Sequence, residues 1–153
     1  MALDSTRERA RRVLIRALSR IHARVYGISK GRILGRIAGM PVLLLTTTGR
    51  ESGKPRTAPL TYFRDGEDLV IIGSFGGSDT PPAWWLNLQR DPTASVLIGR
   101  TASTVLARAA TSEEHNRLWL LVTSTHPGYA RYQGRTARPI PIVMLTPERA
   151  LGV

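Results

Sequence analysis

From Pro41 onward the chain is cut into several short, closely spaced apolar runs broken by two or three helical stretches, and this spacing limits its fold more than any other feature. The strand-like runs are 42–47, 56–63, 68–74, 94–98, 101–109 and 140–145. Arg64-Asp65-Gly66-Glu67 and Gly99-Arg100 read as hairpin turns. Two helical stretches interrupt the strands: one begins at Pro82 and runs through Trp84, Trp85 and Leu88, and the other covers 112–123. In the second, Glu113 and Glu114 lie in the first turn, where they suit the helix dipole. The expected fold class is α+β, a small antiparallel barrel with two or three packing helices, rather than a doubly wound parallel sheet.

The N-terminal stretch obeys a different period. Within 5–26, Leu14, Leu18, Ile21 and Val25 recur at four, three and four residues with Ala17 beside them, while Arg9, Arg12, Arg16, Arg20 and Arg24 cover much of the rest. Residues 1–36 hold ten Lys and Arg against Asp4 and Glu8, so most of the net charge of +11 belongs to this end. A basic amphipathic helix lies on an anionic bilayer, binds nucleic acid, or docks on its own domain. Docking through Leu14, Leu18, Ile21 and Val25 with the arginines in water is the leading expectation, and peripheral contact of residues 1–26 with an anionic membrane is its competitor. Nucleic acid is not expected as a partner, because no aromatic residues interleave with the basic ones on this helix.

Gly31, Gly35 and Gly39 recur every fourth residue, but Arg32 and Arg36 between them argue against a membrane helix pair. No run reaches the apolar length of a membrane span, and residues 1–26 lack the apolar centre of a signal peptide. The expectation is a cytoplasmic protein, with peripheral contact at the inner face of the plasma membrane as the open question. The chain divides into a basic helix and linker, 1–38, and a barrel domain, 39–153. With no cysteine and three well-separated histidines, His22, His115 and His126, no disulfide, thiolate nucleophile or metal site is expected.

Three segments carry candidate chemistry. Gly49 and Gly53 allow a tight turn that presents Arg50, Lys54 and Arg56 around free amide groups, a place for an anion or an exposed basic hairpin turn. It is no P-loop, because three residues rather than four separate the glycines and Pro55 follows Lys54. Ile72-Gly73-Ser74-Phe75-Gly76 fails as a hydrolase nucleophile elbow, since Ile72 stands where the first glycine is required. Ser74 then either offers a hydroxyl to a ligand or ends a strand. The adjacent Trp84 and Trp85 face about 100° apart on a helix, so one fills core and the other is free to border a flat ring, with core packing of both the alternative. Tyr129 and Tyr132 share a face if their segment is helical, and Pro127-Gly128 before them suits a kinked wall over a pocket.

In order along the chain, Leu45-Thr46-Thr47-Thr48-Gly49-Arg50 with Ser52-Gly53-Lys54-Pro55-Arg56, Ser74 before Gly76-Gly77, Pro82-Ala83-Trp84-Trp85-Leu86-Asn87-Leu88, and Pro127-Gly128-Tyr129 with Tyr132-Gln133 and Arg138-Pro139-Ile140-Pro141 resemble the deazaflavin-dependent nitroreductase family. The resemblance runs from about Gly39 to Pro147. It implies a split β-barrel that binds coenzyme F420, with FMN a weaker alternative. By position it implies that Arg50, Ser52 and Arg56, within a turn that includes Glu51 and Lys54, hold the phosphate and polyglutamate tail. Thr57, Ala58, Pro59, Leu60 and Thr61 would line the deazaflavin, with Ile72, Gly73, Ser74 and Phe75 beneath the ring. Ala83, Trp84, Trp85, Leu86 and Asn87 would meet the phosphate side. Tyr129 would face the ring, and Ser74, Tyr129 and Tyr132 would serve catalysis, with His126 near the substrate. The implied activity is hydride transfer from reduced deazaflavin to a small-molecule acceptor, a quinone, nitroaromatic or activated alkene; the alternative is a non-catalytic binding protein for a fatty acid or flavin on the same fold. Glu51 and Phe75 depart from the family, where lysine is common, and put the strength of coenzyme binding in question.

Overall fold

The computed structural model describes residues 2–29 and 35–148, with side chains from Thr6 to Gly27 and from Gly35 to Glu148. Gly31 and Arg32 of the four-residue glycine series lie outside the described residues. The elements are α1 (Ala2–Ser29), β1 (Arg36–Ile37), β2 (Met40–Thr48), β3 (Pro55–Asp65), β4 (Asp68–Ile72), a 3-10 turn (Phe75–Gly77), α2 (Ala83–Arg90), β5 (Thr93–Ile98), β6 (Thr101–Ala109), α3 (Ser112–Thr125), α4 (Gly128–Gln133) and β7 (Ile142–Pro147).

Every strand pairing is antiparallel. The order β2-β3-β4-β7-β6-β5 returns to β2 through Leu44↔Leu97, Leu45↔Val96 and Thr46↔Ser95, so these strands close a barrel and β1 hangs on the edge of β2. The six expected strands all form, within a few residues of their expected ends. The short β1 escaped the sequence reading because it is two residues long and its hairpin turns on Ala38 and Gly39, both at positive φ, where an alanine is unusual.

The uninterrupted run Val42-Leu43-Leu44-Leu45 is explained by two covered faces. Leu43 and Leu45 point into the barrel with Tyr62, Ile71, Val96, Val105 and Leu145, and Trp84 and Leu88 of α2 plug this cluster. Val42 and Leu44 point outward and pack under Ala23 and Tyr26 of α1. A third cluster joins the outer faces of β4 and β7, through Val70, Ile72, Ile142 and Met144, to Leu118 and Val122 of α3 and Tyr129 of α4. The start of α3 is fixed by a capping box: the Thr111 hydroxyl accepts from the Glu114 amide, and the Glu114 carboxylate accepts from the Thr111 amide and from Arg108.

α1 corrects one expectation. It docks, but not through the apolar stripe: Leu14, Leu18 and Ile21 are between 56% and 60% exposed, and of the stripe Val25 alone is half-buried. The inward face carries Glu8, Arg12, Ile15, Ser19, Ala23 and Tyr26 instead. The reason is what lies beneath it. Towards its N-terminus α1 crosses the polar segment 74–80, where Arg11 donates to the Gly76 carbonyl, Arg12 to Thr80 Oγ1 at 2.7 Å, and Ser78 Oγ to Glu8 at 2.8 Å. Towards its C-terminus Tyr26, 1% exposed, accepts from the Gly99 amide at 2.7 Å. A polar surface selects a polar helix face, and the apolar stripe is left outside.

Tyr26→Phe keeps the packed ring but strands the Gly99 N–H, so it is expected to lower stability by about 1–3 kcal/mol. Differential scanning calorimetry should show this as a midpoint lowered by several degrees; an unchanged midpoint would show that the Tyr26 hydroxyl holds nothing.

Candidate active site

A cavity of about 890 Å³ lies outside the barrel, floored by the outer side of β3. The interior of the barrel is filled, so a ligand is confined to the space between strand surface and helices. One end is bounded by the Gly49–Arg56 turn and the start of α2, the other by segment 72–76, His126 and α4, and the roof is α1.

The basic turn is built by short-range bonds. The Gly49 amide donates to the Lys54 carbonyl at 2.9 Å, the Gly53 amide to the Gly49 carbonyl at 2.8 Å, and Ser52 Oγ accepts from the Lys54 amide and from Arg56 Nη2. A Cβ on Gly49 would stand 2.8 Å from Ser52 Oγ, and Gly53 sits at φ +66°, so both positions require glycine. Asn87 anchors the turn to the barrel. Its Oδ1 accepts from the Arg50 amide and from Arg50 Nη1, each at 3.2 Å, and its Nδ2 donates to Thr47 Oγ1 at 3.0 Å. Asn87 is 3% exposed, so its amide orients Arg50 within the protein. Glu51 is 87% exposed and stands 3.8 Å from Arg50 Nη2, a surface pair of small energetic weight that leaves the turn with an excess of positive charge.

At the far end Tyr129 and Tyr132 do lie on one short helix, α4, with ring centroids 5.9 Å apart and edge-on geometry. Thr61 Oγ1 and the Tyr129 hydroxyl are 2.8 Å apart. Burial pushes the Tyr129 phenol up from its ordinary pKa, against the opposing effect of the Thr61 bond, so it stays protonated at neutral pH. Phe63 packs edge-on against Tyr129 and tilted against His126. Ser74 is buried, and among the described residues its hydroxyl makes no hydrogen bond, which leaves a free donor at the cavity wall.

Of the residues singled out from sequence, the cavity brings together Arg50, Glu51, Ser52, Arg56, Thr57, Ala58, Pro59, Leu60, Thr61, Ile72, Ser74, Phe75, Ala83, Trp84, Asn87, His126, Tyr129 and Tyr132. Lys54, Gly73, Trp85 and Leu86 are not on its wall. Lys54 is exposed beyond the turn, and Gly73 bonds the Pro141 carbonyl with Pro141 against its face. Trp85 packs on the barrel core together with Trp84, which alone of the pair also borders the cavity. Sequence reasoning missed Ile15, Arg16, Ser19 and Arg20 of α1 and Ile37, Ala38 and Met40 of the β1–β2 hairpin. The four-residue spacing of Arg16 and Arg20 was visible, but the face it marked was assigned to water.

The sequence model of the F420H(2)-dependent quinone reductases matches residues 18–147. The chain belongs to the F420H(2)-dependent quinone reductase family. An F420H(2)-dependent quinone reductase of Mycobacterium tuberculosis strain H37Rv is 39% identical over 148 residues, 94% of this chain and 99% of the relative. Among solved structures, an F420-H2 dependent reductase superposes with a TM-score of 0.62 at 36% identity, covering 69% of this chain and 93% of the other. A second, described as a domain-swapped dimer, superposes with a TM-score of 0.64 at 31% identity and covers 95% of this chain and 99% of the other. The family match begins at residue 18, inside α1, so the roof of the cavity is partly within it.

Asn87→Ala removes the anchor of the Arg50 turn without touching the barrel closure. The expected result is a folded protein that trypsin cleaves faster after Arg50, because local opening of an unanchored turn costs less; a cleavage rate equal to that of the unsubstituted protein would mean that the glycine turn holds itself.

Proposed function

We propose that the protein is a coenzyme F420-dependent reductase that passes a hydride to a quinone or a similarly electron-poor acceptor. The observation that carries this reading is one cavity with a basic turn of surplus charge at one end and hydroxyl and aromatic groups, beside Arg131, at the other, in a chain of this family. The donor set fits the coenzyme. Arg50, Ser52 and Arg56 match an anionic tail, and Thr57 to Thr61 along β3 offer a flat strand surface to a planar ring. The barrel with α2 and α4 then holds the coenzyme, and α1 roofs it.

The coenzyme, when bound, supplies the hydride from a carbon centre. The protein supplies binding, orientation and stabilisation of developing negative charge on the acceptor. Arg50, held by Asn87, and Arg56, beside Ser52, fix the tail and thereby the ring's position. Ser74 and Tyr129 are neutral donors at the acceptor end. If Thr61 donates to the Tyr129 oxygen, the Tyr129 proton is directed toward the acceptor, and burial keeps that proton in place. Tyr132, edge-on to Tyr129, closes the wall against water.

Tyr129→Phe is expected to keep coenzyme affinity within about threefold and to lower turnover with a model quinone by about ten- to a thousandfold, the range for loss of a donor to developing charge. Fluorescence titration with oxidised F420, and separately with FMN, followed by stopped-flow reduction of the quinone, checks both parts. Absence of saturable F420 binding to the unsubstituted protein would overturn the assignment.

The exposed stripe on α1 supports peripheral membrane contact. Leu14, Leu18 and Ile21 are exposed, Arg9 and Arg24 of the same helix are exposed as well while Arg16 and Arg20 turn to the cavity, and among the described residues no helix is long and apolar enough to cross a membrane. A helix that docks by one face and exposes an apolar stripe beside arginines suits an anionic lipid surface, to which each arginine contributes about 1 kcal/mol. The protein is expected to sediment with vesicles rich in anionic lipid at low salt and to release as salt rises; Leu14→Glu/Leu18→Glu should remain soluble and still reduce a soluble quinone. A stripe buried against a second copy would appear instead as a dimer that this double substitution dissociates, with no sedimentation by the unsubstituted protein.

A further inference from the structure

Resting on the catalytic reading above, we infer that Arg138 is a positioning residue that sets Ser74 against the two tyrosines. Its guanidinium spans three carbonyls of one segment: Nε donates to Ser78 at 2.7 Å, Nη2 to Ser74 at 2.9 Å and Nη1 to Gly73 at 3.1 Å. That segment needs holding. Phe75, Gly76 and Gly77 follow one another at φ 44°, 62° and 78°, and a left-handed phenylalanine is disfavoured by its Cβ.

The other end of the brace is α4. Gln133 donates to the Arg138 carbonyl at 2.9 Å and accepts from the Ile140 amide at 3.0 Å, so the backbone that carries Arg138 is tied to the helix that carries Tyr129 and Tyr132. The two walls also touch: a Cβ on Gly77 would stand 2.6 Å from the Tyr132 carbonyl. Arg138 is half-buried, and its planar fork addresses three acceptors in directions that a lysine ammonium does not reproduce. The Ser74 hydroxyl, which has no hydrogen bond to the described residues, takes its place from its own backbone, and that backbone is fixed by Arg138.

The test is a double-mutant cycle on turnover, with coenzyme affinity measured alongside. Arg138→Lys and Arg138→Ala are each expected to lower kcat by about ten- to a hundredfold, as misplacement of a catalytic group does. Coenzyme Kd should change by less than about threefold, because the tail is held at the opposite end of the cavity. In a Ser74→Ala background the same substitutions should cost less than about twofold, since the group they misplace is gone. Millimolar guanidinium should restore part of the kcat of Arg138→Ala when equal sodium chloride does not. Losses that multiply in the double variants, or an unchanged kcat in Arg138→Lys, would overturn the inference. Should Arg138→Ala fail to fold, Arg138→Lys carries the cycle by itself. Hydrogen exchange separates this inference from the catalytic reading: amides 73–78 should exchange faster in Arg138→Lys, with the rest of β4 unchanged, whether or not the protein reduces quinones. Unaltered exchange there would remove the brace.

Discussion

Closure of the barrel through β2 is the constraint on which the rest depends. β2 pairs with β3 along one edge and β5 along the other, so its inward residues Leu43 and Leu45 are sealed in the same cluster as Ile71, Val96 and Leu145. Protein interiors pack to the density of organic crystals, and an interior filled in this way has no room for a ligand. Function is therefore displaced to the outer surface. There β3 presents Thr57, Pro59 and Thr61 as a floor, and walls must be brought to it by elements outside the barrel. α1, α2 and α4 are those walls, and each is attached to the closed sheet by a different means: α1 by Tyr26 over Val42 and Leu44, α2 by Trp84 and Leu88 plugging the core, and α4 by Tyr129 in the cluster beneath α3.

The strands were legible because short apolar runs are separated by turn residues. Val42 to Leu45 is apolar without a break, as a strand covered on both faces is, and Gly66-Glu67 closes the hairpin between Asp65 of β3 and Asp68 of β4. The Gly49–Arg56 turn was legible for a similar reason, since two glycines at that spacing admit a tight turn that residues with a Cβ resist, and the basic residues are carried with it. What could not be read was which face a partner would choose. The stripe Leu14-Leu18-Ile21 has the period of a buried face, and periodicity alone assigns it to the core. The surface it meets was hidden: segment 74–80 offers carbonyls and hydroxyls, and these are satisfied by Arg11, Arg12 and Glu8, which no apolar stripe could do.

The same limit applies to Asn87 and Arg138. Both sit in the motifs that carried the family resemblance, yet their work is done on protein atoms far away in sequence. Asn87 bonds Arg50 and Thr47 across a separation of about forty residues, and Arg138 bonds carbonyls 60 to 65 residues before it. A local pattern names the residue type, but not the partner. Lys54 and Trp85 show the converse: Lys54 lies between the cavity residues Ser52 and Arg56 and Trp85 follows Trp84, yet both are off the wall, because nearby side chains in a turn or on a helix diverge.

On the proposed function, the side chains at the two ends of the cavity match what each end would have to do. Holding an anionic tail calls for permanent cations, and the arginines at that end keep their charge at any physiological pH. Stabilising charge that appears only during the reaction calls for donors that are neutral beforehand, because a cation in place would attract water and bind ground states as well as the transition state. Ser74 is such a donor without any adjustment. Tyr129 is one as well, and burial, which pushes its pKa further up, widens the pH range over which its proton is present. Phe75, beside Ser74 on the cavity wall, adds an apolar side chain at the end that Arg131 also borders, and hydroxyl dipoles next to it act in a medium where each is less screened than it would be in water.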